Sequence, residues 1–254
     1  RSDYSRFQPN PNPKNNTYVL VQFHNGVTKV VYQENFLKQR VIWKSGIKNL
    51  EAVAHPQYPL LAWEPKGTEI ALVVWEKGQL LLHVYDVLQQ TKIIENQVLP
   101  FDQVNHLQYM LDDNTLIISG VKGGQSDIFI YQLTEQKITQ LTNDVYDDID
   151  PTFVAFPNRL GIIFASNRPG PNAPNSDTVL PNRNRYNIFL ADINNNSEFR
   201  QITQLTNLKH GNARYPSQYN MNHFTYVSDE NGIGNRWAGF FSTQTGGLDT
   251  VYFV

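Results

Sequence analysis

The sequence predicts an all-β chain folded as a β-propeller of four-stranded antiparallel blades, and three observations carry that reading. Apolar runs recur in a fixed register: Ile70, Leu116 and Ile162 stand 46 residues apart, and Tyr85 is matched by Tyr131 at the same interval. The turns between runs are alike in chemistry, as in Glu64-Pro65-Lys66-Gly67, Leu111-Asp112-Asp113-Asn114 and Pro157-Asn158-Arg159. Composition agrees, with 13 Tyr and 14 Phe against 2 Met in 254 residues, a balance that favours strands. A four-stranded repeat of about 40–50 residues has the length of a propeller blade, whose two apolar faces are buried only by stacking on neighbours. About five such blades fit the chain, as a complete small ring or as an arc of a larger one. A β-sandwich of evenly spaced strands is the competing architecture, and it gives no reason for uniform turns.

Taken in order, residues 1–16 hold Pro9, Pro11 and Pro13 among asparagines and are read as a connector. Residues 17–254 form the propeller. Thr17 to Phe23 and Thr28 to Gln33 flank His24-Asn25-Gly26-Val27, and Asn-Gly between two β runs is a strong hairpin signal. With Gln39 to Lys44 they make a first blade near 17–46 that is one strand short of the others. The second blade, near 60–100, contains Leu60 to Trp63, Ile70 to Trp75, Leu80 to Asp86 and Thr91 to Ile94. The third, near 105–143, repeats the pattern with Leu107 to Met110, Leu116 to Ser119, Asp127 to Gln132 and Lys137 to Leu141. The runs 116–119 and 162–165 are expected to be inner strands.

The fourth blade, near 150–207, is stretched by Pro169-Gly170-Pro171-Asn172-Ala173-Pro174-Asn175-Ser176-Asp177, which is too rich in Pro and Asn for a strand. Its end, Thr203-Gln204-Leu205-Thr206-Asn207, copies Thr139-Gln140-Leu141-Thr142-Asn143 residue for residue. The fifth blade, near 213–254, runs from Tyr215-Pro216 through His223 to Ser228 and Trp237 to Ser242, and ends with Thr250 to Val254. Starting at Arg1 and stopping in a strand-like run, the sequence is read as a piece of a longer polypeptide with flanking domains.

Several stretches resemble a known repeat. Asp148-Ile149-Asp150-Pro151, Ile163 to Arg168, Asn187 to Asp192 and Gln201 to Thr206 look like the TolB-type propeller repeat, with weaker echoes in Ser126 to Phe129 and Thr225 to Asp229. The likeness spans roughly residues 60 to 254. Asn158-Arg159 departs from it, standing where the repeat usually has Asp-Gly. More narrowly, the chain resembles the propeller segment of large cell-envelope proteins of Bacteroidota-type bacteria. This resemblance implies an extracytoplasmic protein-binding module, periplasmic or associated with the outer membrane.

Function is less legible than fold. A net charge of -2 with 17% charged residues argues against a nucleic-acid grip, which needs a clustered basic surface. No run of 18 apolar residues is present, so no transmembrane helix is expected. The absence of cysteine excludes disulfides and thiolate metal sites. None of the common nucleophile, zinc or phosphate-loop motifs occurs, so no catalytic residue and no cofactor is assigned. The six histidines (His24, His55, His83, His106, His210 and His223) are far apart in sequence.

Two groups of residues are candidate sites. Asp144, Asp147, Asp148 and Asp150 are close-spaced oxygen donors of the kind calcium takes, although short acids in an inter-blade turn also serve to bond the local backbone. Arg168, Arg183, Arg185, Arg214 and Arg236, with Tyr186, crowd the later half and offer forked donors and an aromatic face to a carboxylate-bearing partner. The insertion 169–186 is expected to project from one rim. The favoured function is a non-enzymatic binding or scaffold module of an envelope protein, facing a protein or cell-wall partner. The alternative is the propeller part of a hydrolase or lyase acting on glycans or peptides, with catalytic groups at the channel mouth or on another domain.

Overall fold

The computed structural model describes residues 6–24, 26–34, 38–46, 57–157, 159–173, 181, 185–193 and 202–242. Within them the chain folds into five antiparallel sheets, met one after another along the sequence. The first contains β1 (Arg6–Pro11), β2 (Tyr18–His24), β3 (Val27–Gln33) and β4 (Gln39–Lys44). The second contains β5 (Leu60–Trp63), β6 (Glu69–Glu76), β7 (Gln79–Asp86) and β8 (Thr91–Leu99). The third contains β9 (Gln103–Tyr109), β10 (Thr115–Lys122), β11 (Gln125–Gln132) and β12 (Lys137–Gln140). The fourth has β13 (Asp148–Phe156), β14 (Arg159–Ser166), β15 (Asn187–Asp192) and β16 (Ile202–Gln204), and the fifth β17 (Ala213–Gln218), β18 (His223–Ser228) and β19 (Asn235–Phe240). Strand order follows chain order in every sheet, so each is a simple meander. The fourth strand expected at 250–254 lies outside the described residues.

The first sheet differs from expectation. Its missing strand is β1, inside the stretch read as a connector, paired with β2 from Arg6 opposite Phe23 to Pro11 opposite Tyr18. Pro9 and Pro11 sit on an edge strand, where a missing amide breaks no ladder on the outer side. Proline density is therefore compatible with a strand here.

Period-two alternation sends successive side chains to opposite neighbours. Ile70 and Leu72 pack toward the first sheet, with Val19, Val30 and Tyr32, while Ala71 and Val73 pack toward the third with Leu116 and Ile118. Ile117 joins Ile162 and Phe164 between the third and fourth sheets, and Ile163 and Ala165 face Ala213 and Phe224 of the fifth. Among the described residues the core is thus four apolar layers, one per junction between consecutive sheets. The runs 116–119 and 162–165 belong to second strands, paired on both sides and buried on both faces. Neighbouring sheets approach along their first strands, β5 beside β9, β9 beside β13 and β13 beside β17.

One closing bond recurs in four sheets. The residue after the third strand donates to the start of the second: Val87 to Thr68, Leu133 to Asn114, Ile193 to Leu160 and Phe241 to Asn222. The copied Thr-Gln-Leu-Thr segment is a second shared device. The Thr142 hydroxyl accepts the Ile128 amide at 3.0 Å and donates to Asp127 at 3.2 Å. The Thr206 hydroxyl does the same with Ile188 and Asn187, at 2.8 and 3.1 Å.

Candidate functional site

Each carboxylate of the acidic turn is engaged by a neighbouring side chain, two of them by one guanidinium nitrogen. Asp148 is fully buried and accepts two bonds from Arg168 Nη2, at 2.9 and 2.7 Å. Asp144 pairs with the same nitrogen at 3.0 Å. Asp147 accepts the Asn167 side-chain amide at 3.2 Å. Asp150 reaches across to the fifth sheet, taking Arg214 Nε at 2.5 Å and the Tyr215 amide at 3.2 Å. Among the described residues no group of three or more His, Asp or Glu side chains is arranged to hold a metal ion. Burial pushes the Asp148 carboxyl up to about 6, although Arg168 pulls the other way.

Arg168 faces inward, not toward a partner. It is 3% exposed and lies over the rings of Tyr146, Phe164 and Phe189 at 5.9, 5.5 and 5.5 Å. Such a cation, paired with carboxylates and stacked on aromatic faces, ties the fourth sheet together. The other candidates part company. Arg183 lies outside the described residues, Arg185 is half-buried, and Arg236 is exposed on β19 opposite Val227.

Tyr186 and Arg214 do come together. Their cleft, of about 470 Å³, is lined by Tyr186, Asn212, Arg214, Tyr215, Val227, Asp229 and Gly234. It opens where β15 and β17 begin and β18 ends. The Arg214 guanidinium lies over two rings, 5.2 Å from the centre of Tyr186 and 5.0 Å from that of Tyr215. Asp150 takes its Nε and Nη2, and Nη1 carries no bond to a described residue. Asn212 braces the rim, accepting the Tyr186 amide at 3.1 Å and donating its backbone amide at 2.5 Å and its side-chain amide at 3.3 Å to Asp229. Those backbone and side-chain bonds from Asn212 hold the Asp229 carboxyl below its usual range.

Beside the cleft, β13 and β17 bulge in the same way. Their registers slip between Ile149 and Thr152 and between Arg214 and Ser217. At each slip a residue preceding proline adopts positive φ, Asp150 at 53° and Tyr215 at 52°. Left-handed backbone is unfavourable for such residues and is kept only where the surroundings fix it. Here Asp150 holds the Tyr215 amide, and Tyr215 turns outward at 61% exposure. The Pro in each strand was visible in the sequence, but not the bulge or the coupling of one to the next.

Solved structures share this architecture. TolB from Acinetobacter baumannii matches with 15% identity over 91% of this chain and 50% of that chain, at a TM-score of 0.58. The fold is a β-propeller. A prolyl oligopeptidase B from Galerina marginata matches at 9% identity over 93% of this chain and 33% of its own, with a TM-score of 0.61. Oligogalacturonate lyase in complex with manganese matches at 13% identity over 92% and 65%, with a TM-score of 0.50. The chain therefore spans about half the length of the TolB structure and a smaller share of the oligopeptidase. No protein-family model matches the chain, and no curated protein matches it in sequence. Among the described residues no helix is long and apolar enough to cross a membrane, which says nothing of β-barrels.

Proposed function

We propose that the chain is a non-enzymatic binding module of a larger extracytoplasmic envelope protein, of the kind found in Bacteroidota-type bacteria. Its propeller presents the Tyr186–Arg214–Tyr215 cleft to a carboxylate-bearing protein or cell-wall partner. The observation that carries this reading is Arg214, held by Asp150 over two tyrosine rings, with Nη1 bonded to no described residue. A guanidinium pre-set in this way loses little freedom on docking, which favours recognition. Asp229 supports binding over proton transfer: a carboxyl held below its usual range is a weak base at neutral pH. The same fold occurs in TolB and in an oligopeptidase and a lyase, so the fold alone does not choose between binding and catalysis.

The test is capture from a solubilised envelope fraction by the immobilised chain, compared with Arg214→Lys and Tyr215→Ala. Lysine keeps the charge but loses the planar fork. Both variants should keep the β circular-dichroism spectrum and retain less than a tenth of the captured partner. Undiminished capture by both would remove the cleft from the binding surface.

A further inference from the structure

The Arg214 cleft carries a second fixed charge, of opposite sign. Asp229 lines the same cleft, and of the remaining lining residues, Tyr186, Asn212, Tyr215, Val227 and Gly234, none is charged at neutral pH. The ligand it fits must answer both charges.

Both are set in place before any partner arrives. Asp150 holds Arg214 through Nε and Nη2. Asn212 holds Asp229 through its backbone and side-chain amides, one to each carboxylate oxygen. Gly211 leaves room for that grip: its φ is +69°, and a Cβ there would stand 2.5 Å from Asp229 Oδ1. A carboxylate oxygen with one such bond keeps a lone pair for a further donor.

Neither charge is spent on the other. Arg214 is paired with Asp150, while Asp229, kept ionised by the Asn212 amides, is paired with no described cation. Asn212 stands two residues before Arg214, about 7 Å along an extended chain. The Arg214 side chain meanwhile reaches toward Asp150 on β13 and Tyr186 before β15. The two charges are therefore spread along the cleft, and Val227 and the tyrosine rings supply its apolar wall.

We propose that the cleft reads a carboxylate and an ammonium joined by a short aliphatic stem, presented either by a polypeptide that ends in lysine or by a free ω-amino acid. The carboxylate meets Arg214 Nη1, and the stem lies on Val227 and the tyrosine rings. The ammonium, with three donors and no acceptor, meets Asp229. This rests on the reading of the cleft as a binding surface and adds a second point of recognition to it. Two points also select: a plain carboxylate leaves Asp229 unmatched, and a dicarboxylate is repelled by it.

The experiment titrates the ¹⁵N-labelled chain with three probes, followed through the amide resonances of Asn212, Tyr215 and Asp229. Nα-acetyl-lysine carries both charges, Nα-acetyl-norleucine the carboxylate alone and Nα-acetyl-lysinamide the ammonium alone. Saturable shifts are expected with Nα-acetyl-lysine, at least fivefold tighter than with either singly charged probe. Asp229→Asn should bring the Nα-acetyl-lysine and Nα-acetyl-norleucine affinities together. That variant is nearly isosteric, a dispersed spectrum shows its fold intact, and the comparison of probes does not depend on it. A titration with 6-aminohexanoate separates the sources. Tighter binding of Nα-acetyl-lysine assigns the cleft to a chain end, and equal or weaker binding to a free ω-amino acid. Equal affinity for Nα-acetyl-lysine and Nα-acetyl-norleucine, or a preference that survives Asp229→Asn, would overturn this inference and leave the carboxylate reading standing. No saturable shift with any probe at tens of millimolar would also overturn it. The binding reading falls with it only if Arg214→Lys and Tyr215→Ala leave capture from the envelope fraction undiminished.

Discussion

Asp127 and Asn187 occupy the same place in consecutive sheets, each receiving a threonine hydroxyl from the copied segment. One is ionisable and the other is not. Asp127 is 4% exposed, and burial, with the nearby Asp148 and Asp144, pushes its carboxyl up to about 7. A raised carboxyl binds its proton more tightly in the folded state, so stability falls as pH rises from the unfolded value near 4 through about 7. Asp148, raised to about 6, slopes the same way. Asp127→Asn should flatten much of this slope and stabilise the chain at pH 8 by on the order of 2 kcal/mol, read as melting temperature across pH. A variant with the wild-type slope would show that Asp127 is not the group responsible. The cluster of acids was legible in the sequence. Their partners were not, because Asp148 finds Arg168 twenty residues on, and Asp150 finds Arg214 only when the next sheet arrives. For the same reason Arg168 read as a surface donor: nothing local shows that Asp148 and three rings draw it inward.

Strands were legible where side chains alternate or run apolar between turn residues, which covers the second to fourth sheets. β1 was not, since Pro and Asn carry a loop signal and its edge position is a property of the sheet. The insertion was legible as an interruption, and its described start, residues 169–173, contains a turn closed by the Ala173 amide on Gly170. Replacing residues 170–184 by a short Gly-Ser turn should leave the melting temperature nearly unchanged, because loop closure entropy varies slowly with length. It should also reduce capture from envelope extract if the segment contributes to the rim. Unfolding on deletion would mean that the segment is packed structure.

At the scale of the whole molecule, each sheet touches its neighbours through its own apolar layer, so stability approximates a sum of nearest-neighbour terms. Ile118→Val, between the second and third sheets, and Ile163→Val, between the fourth and fifth, should each cost about 0.5–1.5 kcal/mol. Together they should add to within about 0.5 kcal/mol. Ile118→Val with Phe129→Leu, directly opposed in one layer, should deviate from additivity by more than that. Urea unfolding of the single and double variants measures both, and strong coupling between the distant pair would mean that the layers act as one core.

Separate layers also bear on how such a chain changes over evolutionary time. Each junction asks only for alternating apolar residues of compatible size, and a substitution is answered within the two sheets that share it. Compensation never has to propagate around the molecule. Sequence can then change junction by junction while the architecture persists, and the TolB structure shares this fold at 15% identity and a TM-score of 0.58.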